Sequence, residues 1–246
     1  ELNLSQLFGL VKEATVKCSV YMTMLICNLA SVEKHRAAIL TAGGLSCLES
    51  VIVNADDDDD DDYVDLKRAS LLCLYNLSAC DESHTMMIAR SSLMQYIVLA
   101  CRSRDLLCQR CALMTLSNIA CNDWTRPIAM KGGGLQTAIL SLKEDDTTMQ
   151  RLGLVCLTNM SNDNQTQSQI AVHGGFQPII NLSCESSRET RECAFLCLSN
   201  LCANESTAAE VSLVREAALV ANNACKEHLS AAFAIANLTS RVGLIH

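Results

Sequence analysis

Six asparagines carry the most regular chemistry in this chain: Asn28, Asn76, Asn118, Asn159, Asn200 and Asn237. They sit in six related stretches, "LICNLA", "CLYNLS", "TLSNIA", "CLTNMS", "CLSNLC" and "AIANLT". A carboxamide presents two N–H donors and one carbonyl acceptor, the groups of a peptide bond. A row of them can hold another backbone without reading its side chains, at a net ~0.5–1.5 kcal/mol per bond. The same amides can instead bridge neighbouring helices within the protein, and the two uses are compatible.

Other reactive residue types form no comparable set. The five histidines, His35, His84, His173, His228 and His246, are scattered. None has a nucleophile or second ligand at catalytic or metal spacing. Of 15 cysteines, only Cys108 and Cys111 form a close CxxC pair, and a structural zinc site needs four ligands. An odd count, placed within apolar runs, points to buried reduced thiols. "KGGGLQTAI" has its lysine before the glycines and lacks the order of a phosphate loop. "NLS", "NMS" and "NLT" are by-products of the repeated stretch rather than glycosylation sites. No enzyme activity, cofactor or metal is expected.

The asparagines must be positioned by repeated elements. Their intervals are 48, 42, 41, 41 and 37 residues. The first interval contains seven consecutive aspartates, Asp56 to Asp62, and becomes 41 without them. Seventeen residues after the first four asparagines stand Leu45, Leu93, Leu135 and Phe176. Glycine pairs precede three of these: Gly43-Gly44, Gly133-Gly134 and Gly174-Gly175, with Ser91-Ser92 in the remaining one. Each unit reads as three helices: a short one ending at the glycines (33–42), a second (45–54) and a longer third carrying the asparagine (64–79). The expected organisation is one repeat domain, 1–246. Residues 1–31 form a partial repeat, followed by repeats 32–80 (with the aspartates), 81–122, 123–163, 164–204 and a degenerate, truncated-looking 205–246.

On a helical wheel with asparagine at position 0, positions −6, −5, −2 and +1 share a core face. These are Ala112, Leu113, Leu116 and Ile119 in one repeat, and Gly153, Leu154, Leu157 and Met160 in the next. Small residues at −6 let helices approach closely. Asparagine lies away from that stripe. It shares its face with position −4: Met24, Leu72, Met114, Val155, Leu196 and Phe233. These apolar residues read either as partner pockets or as packing between adjacent third helices. Position −8 adds Arg68, Arg110 and Arg151.

The composition sets limits. Half the residues are apolar, only 4% are aromatic, and there are 2 prolines and 10 glycines, which suits long helical content. No apolar run reaches the ~18 residues of a membrane span. No leader is visible, and because the sequence opens at Glu1 rather than Met, a preceding signal or lipid anchor is compatible with it. The formal charge of −8 falls to −1 without the seven aspartates, so no basic footprint for nucleic acid exists. The aspartates read as a solvated, tolerated insertion, or as a charge that attracts a basic partner or competes for the arginine-bearing groove.

The 41-residue three-helix unit, the glycine before the second helix and the "LxNL" ending resemble the armadillo repeat over nearly the whole chain. The resemblance implies an all-α, right-handed superhelical armadillo-type solenoid of three-helix repeats, whose third helices line a concave groove. It implies a protein–protein interaction scaffold or adaptor that takes extended or helical partner segments, with the six asparagines gripping the partner backbone. Relatives act as general cytoplasmic adaptors or as cytoskeletal and axonemal (ciliary) scaffolds. Nuclear-import carriers of basic peptides place tryptophan at −4 on many third helices. Here position −4 holds none, and Trp124 falls near the start of a first helix, which disfavours that role. Six third helices ~10 Å apart would line ~50 Å, or about 15 extended partner residues.

Overall fold

The computed structural model describes residues 3–54, 61–162, 164–185 and 187–201. Asn237 and Phe233, and the repeat 205–246, lie outside the described residues. So do Asp56 to Asp60. The chain divides into two compact units, 1–132 and 133–246. All regular structure among the described residues is helical.

The first unit holds α1 (Leu4–Glu13), α2 (Val16–Ser31), α3 (Glu33–Thr41), α4 (Gly44–Asn54), α5 (Asp61–Ser78), α6 (Asp81–Ile88), α7 (Ser91–Ala100), α8 (Leu106–Cys121) and the one-turn α9 (Arg126–Ala129). The long helices α2, α5 and α8 carry Asn28, Asn76 and Asn118, and α5 packs between the other two. The second helices α1, α4 and α7 likewise contact one another in order. In the second unit, α10 (Leu135–Ser141) packs on α11 (Thr147–Met160), α12 (Asn164–Val172) follows, and α13 (Phe176–Glu185) packs on α14 (Arg188–Leu201). The asparagine-bearing α11 and α14 lie against each other.

The expected core stripe is buried. Ala112, Leu113, Leu116 and Ile119 are inaccessible on α8, as are Leu154, Leu157 and Met160 on α11. Gly153, at −6, is packed so tightly on α10 that a methyl group there would overlap Ser141 Oγ and sit 3.1 Å from the Ala138 carbonyl.

The glycine pairs divide their labour. Gly43 and Gly174 turn the chain with φ of 93° and 74°, a region that costs other residues roughly 1–2 kcal/mol. Gly44 and Gly175 have negative φ but no room for a side chain: each backs onto the isoleucine five residues earlier, Ile39 or Ile170. Where serines replace the pair, the turn is made by Arg90 in extended conformation (φ −104°), and no positive φ is required.

Two elements differ from expectation. The third helix carrying Asn76 begins at Asp61 rather than at residue 64. Asp61 and Asp62 occupy its first turn, where carboxylates face the positive end of the helix dipole. The first helix of the fourth repeat is cut to one turn, α9. The chain then passes through residues 130–134, with Gly133 at φ 98°, into α10.

Candidate partner-binding face

Side chains fasten the ends of the asparagine-bearing helices: the N-termini of α8, α11 and α14, and the C-termini of α2, α5, α8 and α11. Thirteen residues before the asparagine, a side-chain oxygen accepts from the backbone N–H three residues on. Asp105 accepts from Cys108 at 2.8 Å, Asp146 from Met149 at 2.8 Å, and Ser187 from Thr190 at 3.3 Å. These are N-caps, which satisfy donors that the helix cannot. At the other end, a side chain eight residues after the asparagine reaches back six residues to a terminal carbonyl. Arg36 Nε donates to Ala30 O at 2.9 Å, His84 Nε2 to Ser78 O at 2.7 Å, Arg126 Nε to Ala120 O at 3.0 Å, and Gln167 Nε2 to Ser161 O at 2.8 Å. The His84 ring therefore carries its proton on Nε2, since a carbonyl only accepts. Sequence reading missed this set because the residue type changes from repeat to repeat. The in-phase position alone would have found it.

The amides are used, in part, between helices. Asn76 Nδ2 donates to Cys27 O on α2 at 3.2 Å, Asn118 Nδ2 to Ser78 Oγ on α5 at 2.9 Å, and Asn200 Nδ2 to Thr158 O on α11 at 3.2 Å. Each bond spends one of two N–H donors and leaves the carbonyl oxygen uncommitted by that bond. Asn159 is half-buried and Asn28 is exposed.

Among the described residues, packing between third helices leaves position −4 partly or largely exposed. Met24 is 50% exposed, Leu72 36%, Val155 39% and Leu196 50%, and Met114 is half-buried. Within the first unit, Met24, Leu72, Ala69 and Leu107 line a depression of about 250 Å³, with Asn28, Asp65 and Arg68 among its walls. Four residues singled out from sequence (Met24, Asn28, Arg68 and Leu72) thus meet at one place.

The arginines are less available than the sequence suggests. Arg68 bonds Asp105 Oδ2 through Nε (2.9 Å) and Nη2 (2.6 Å), and Asp65 Oδ1 through Nη1 (3.0 Å). These bonds raise the guanidinium pKa. Arg110 is half-buried and engaged within the chain. Arg151 is exposed. It adds to the lowering of the Glu189 carboxyl pKa, after that residue's own backbone N–H and Ser187.

For Asp105, partial burial disfavours the charge, but bonds from Arg68 and from Cys108 outweigh it and hold the carboxyl below its ordinary 3.8. A lowered folded pKa stabilises the fold fully above pH 3.8 and loses that contribution as pH falls through the folded value. Asp105→Asn, which keeps the cap, should therefore cost about 1 kcal/mol at pH 7. The gap from the parent should shrink below pH 3.8, as read by urea unfolding at both pH values.

Of the thirteen described cysteines eight are buried as expected, whereas Cys80 and Cys193 are half-buried and Cys18, Cys121 and Cys184 are exposed, against the expectation of buried thiols. Burial pushes the Cys47 and Cys111 thiols up to about 11, and burial with the Asp105 hydrogen bond pushes Cys108 up to about 12. Such thiols stay protonated near neutrality and are poor nucleophiles. Among the described residues no cluster of three or more His, Cys, Asp or Glu is placed to hold a metal ion. None of their helices is long and apolar enough to cross a membrane. Trp124 stands in the turn before α9, 88% exposed.

No family model and no curated protein matches this sequence. Solved structures do. An engineered protein superposes with a TM-score of 0.84 at 20% identity, over 98% of this chain and 100% of its own. A computationally designed armadillo repeat protein for modular peptide recognition gives 0.79 at 15% identity, over 99% and 100%. A designed armadillo repeat protein in complex with the peptide (KR)4 gives 0.81 at 14%, over 96% and 99%. Identities this low speak to the backbone arrangement, and on that evidence the chain is an all-α solenoid with the armadillo-like repeat fold.

Proposed function

We propose that this chain is a non-catalytic interaction scaffold that holds a segment of a partner protein against the face of its asparagine-bearing helices. The observation that carries the reading is the exposure of position −4. Large apolar side chains normally buried in a helical array here stand in solvent beside carboxamides, on α2 and α5 in one unit and on α11 and α14 in the other. Apolar anchors with a few convergent polar groups make a recognition surface. The amides of Asn28, Asn76, Asn118, Asn159 and Asn200 bond the partner backbone with whatever capacity the interhelical bonds leave. The designed structures with this fold support the reading, since one is described for peptide recognition and another is in complex with a peptide.

The apolar character of position −4 favours partners with apolar anchors over a carrier role for purely basic peptides. We place the scaffold in the cytoplasm as an adaptor, with a cytoskeletal or ciliary assembly as the alternative setting.

Peptides selected from a random 16-residue phage library against the chain test the reading. Leu72→Glu and Leu196→Glu change only exposed positions and should preserve the helical circular dichroism. Each should weaken a subset of selected peptides at least tenfold. Unchanged binding of every selected peptide by both variants, or no enrichment at all, would overturn the proposal.

A further inference from the structure

We infer that the depression between α2, α5 and α8 takes a large aliphatic side chain of the partner flanked by lysine or arginine. The inference rests on the scaffold reading above and specifies the partner of one part of that face.

Three observations converge. The walls contributed by Met24, Leu72 and Leu107 are apolar and exposed, and the space of about 250 Å³ accommodates a leucine or methionine side chain. Asn28 lies beside it, exposed, and among the described residues its amide donates to no neighbouring helix, unlike those of Asn76, Asn118 and Asn200. Its amide group is thus available to the backbone that carries the inserted side chain.

The third observation is charge. The first two turns of α5 and of α8, with the cap of α8, hold four carboxylates, Asp61, Asp62, Asp65 and Asp105, against three cations, Lys67, Arg68 and Arg110. Arg68 is already bonded along both of its edges to Asp105 and Asp65. A partner carboxylate would have to displace those bonds, whereas a partner cation adds to Asp65, which is exposed and accepts from Arg68 through Oδ1 only. Asp61 lies about 6 Å further along the helix axis, within a Debye length at physiological salt.

The test uses the whole chain with 13C-methyl methionine and fluorescein-labelled peptides SGKKLKKGS, SGKKSKKGS and SGEELEEGS. The first should move the Met24 ε-methyl resonance saturably. Replacing leucine by serine, or the lysines by glutamates, should each weaken binding at least tenfold at low salt. Asp65→Asn should narrow the lysine-over-glutamate preference at least threefold. Equal binding of the acidic peptide at this methyl, or indifference to the leucine, overturns the inference. A silent Met24 methyl while library-selected peptides still lose affinity in Leu196→Glu overturns it too, and leaves the scaffold reading standing. Failure of all peptides removes both.

Discussion

Arg126→Ala should lower the stability of the chain by about 2–4 kcal/mol, the sum of an unsatisfied helix end and a cavity. The guanidinium is 3% exposed and bonds the carbonyls of Ala120 and Cys121 at the end of α8. Its acidic neighbour Asp123 is almost fully in solvent and simply rehydrates when the arginine goes. The loss is therefore that of the helix end and not of an ion pair. The neighbouring repeats supply the control. Gln167 serves the same position with a single bond to Ser161 O, so Arg126→Gln should recover about half of the deficit. Urea unfolding of both variants reads the difference. Equal losses for alanine and glutamine would mean that the arginine's packing matters and its hydrogen bonds do not.

Adding one methyl group at Gly44 or Gly175 should cost about 1–3 kcal/mol, despite the gain in helix propensity that alanine brings. At Gly44 the new carbon would lie 2.6 Å from Ile39 Cγ2 and 2.9 Å from its carbonyl oxygen. At Gly175 the corresponding distances to Ile170 are 2.7 and 3.0 Å. A backbone oxygen cannot rotate away, so α3 must shift off α4, and α12 off α13. Gly43→Ala meets open space and pays only the left-handed backbone, roughly 1–2 kcal/mol. Partial relief of the first class should follow from Ile39→Leu or Ile170→Leu placed in the same chain, which removes the β-branch methyl Cγ2 from the point of contact. The second class should not respond. Thermal unfolding of the single and double variants separates the two.

Much of the fold was legible because its markers repeat in identity. The asparagine recurs as one letter, the glycine pair in three repeats with serines in a fourth, and the stripe as apolar or small residues in the same phase. What was not legible follows from roles that different residues can fill. Arginine, histidine and glutamine all donate to a helix end, so the position eight residues after each asparagine shows no constant letter. The partner of Arg68 is Asp105, 37 residues downstream, a pairing that only the stacking of α5 on α8 creates. The start of α5 was misread for a third reason: aspartate is a poor helix interior residue but a good first-turn residue, and a run of seven does not say where one use gives way to the other. For the face itself, the wheel put asparagine beside position −4. Whether those apolar residues were packed or exposed depended on how far apart successive helices stand.

The four helix-end caps each join residues six apart in the chain. Repeat arrays couple only to their nearest neighbours, and here the fastening of α2, α5, α8 and α11 is held in each case by the helix that comes directly after it. Tension applied along the backbone would peel such a protein one fastening at a time, giving a series of small force steps instead of a single rupture. A tether built this way lengthens under load and re-forms when slack, because every broken link finds its other half within a few residues.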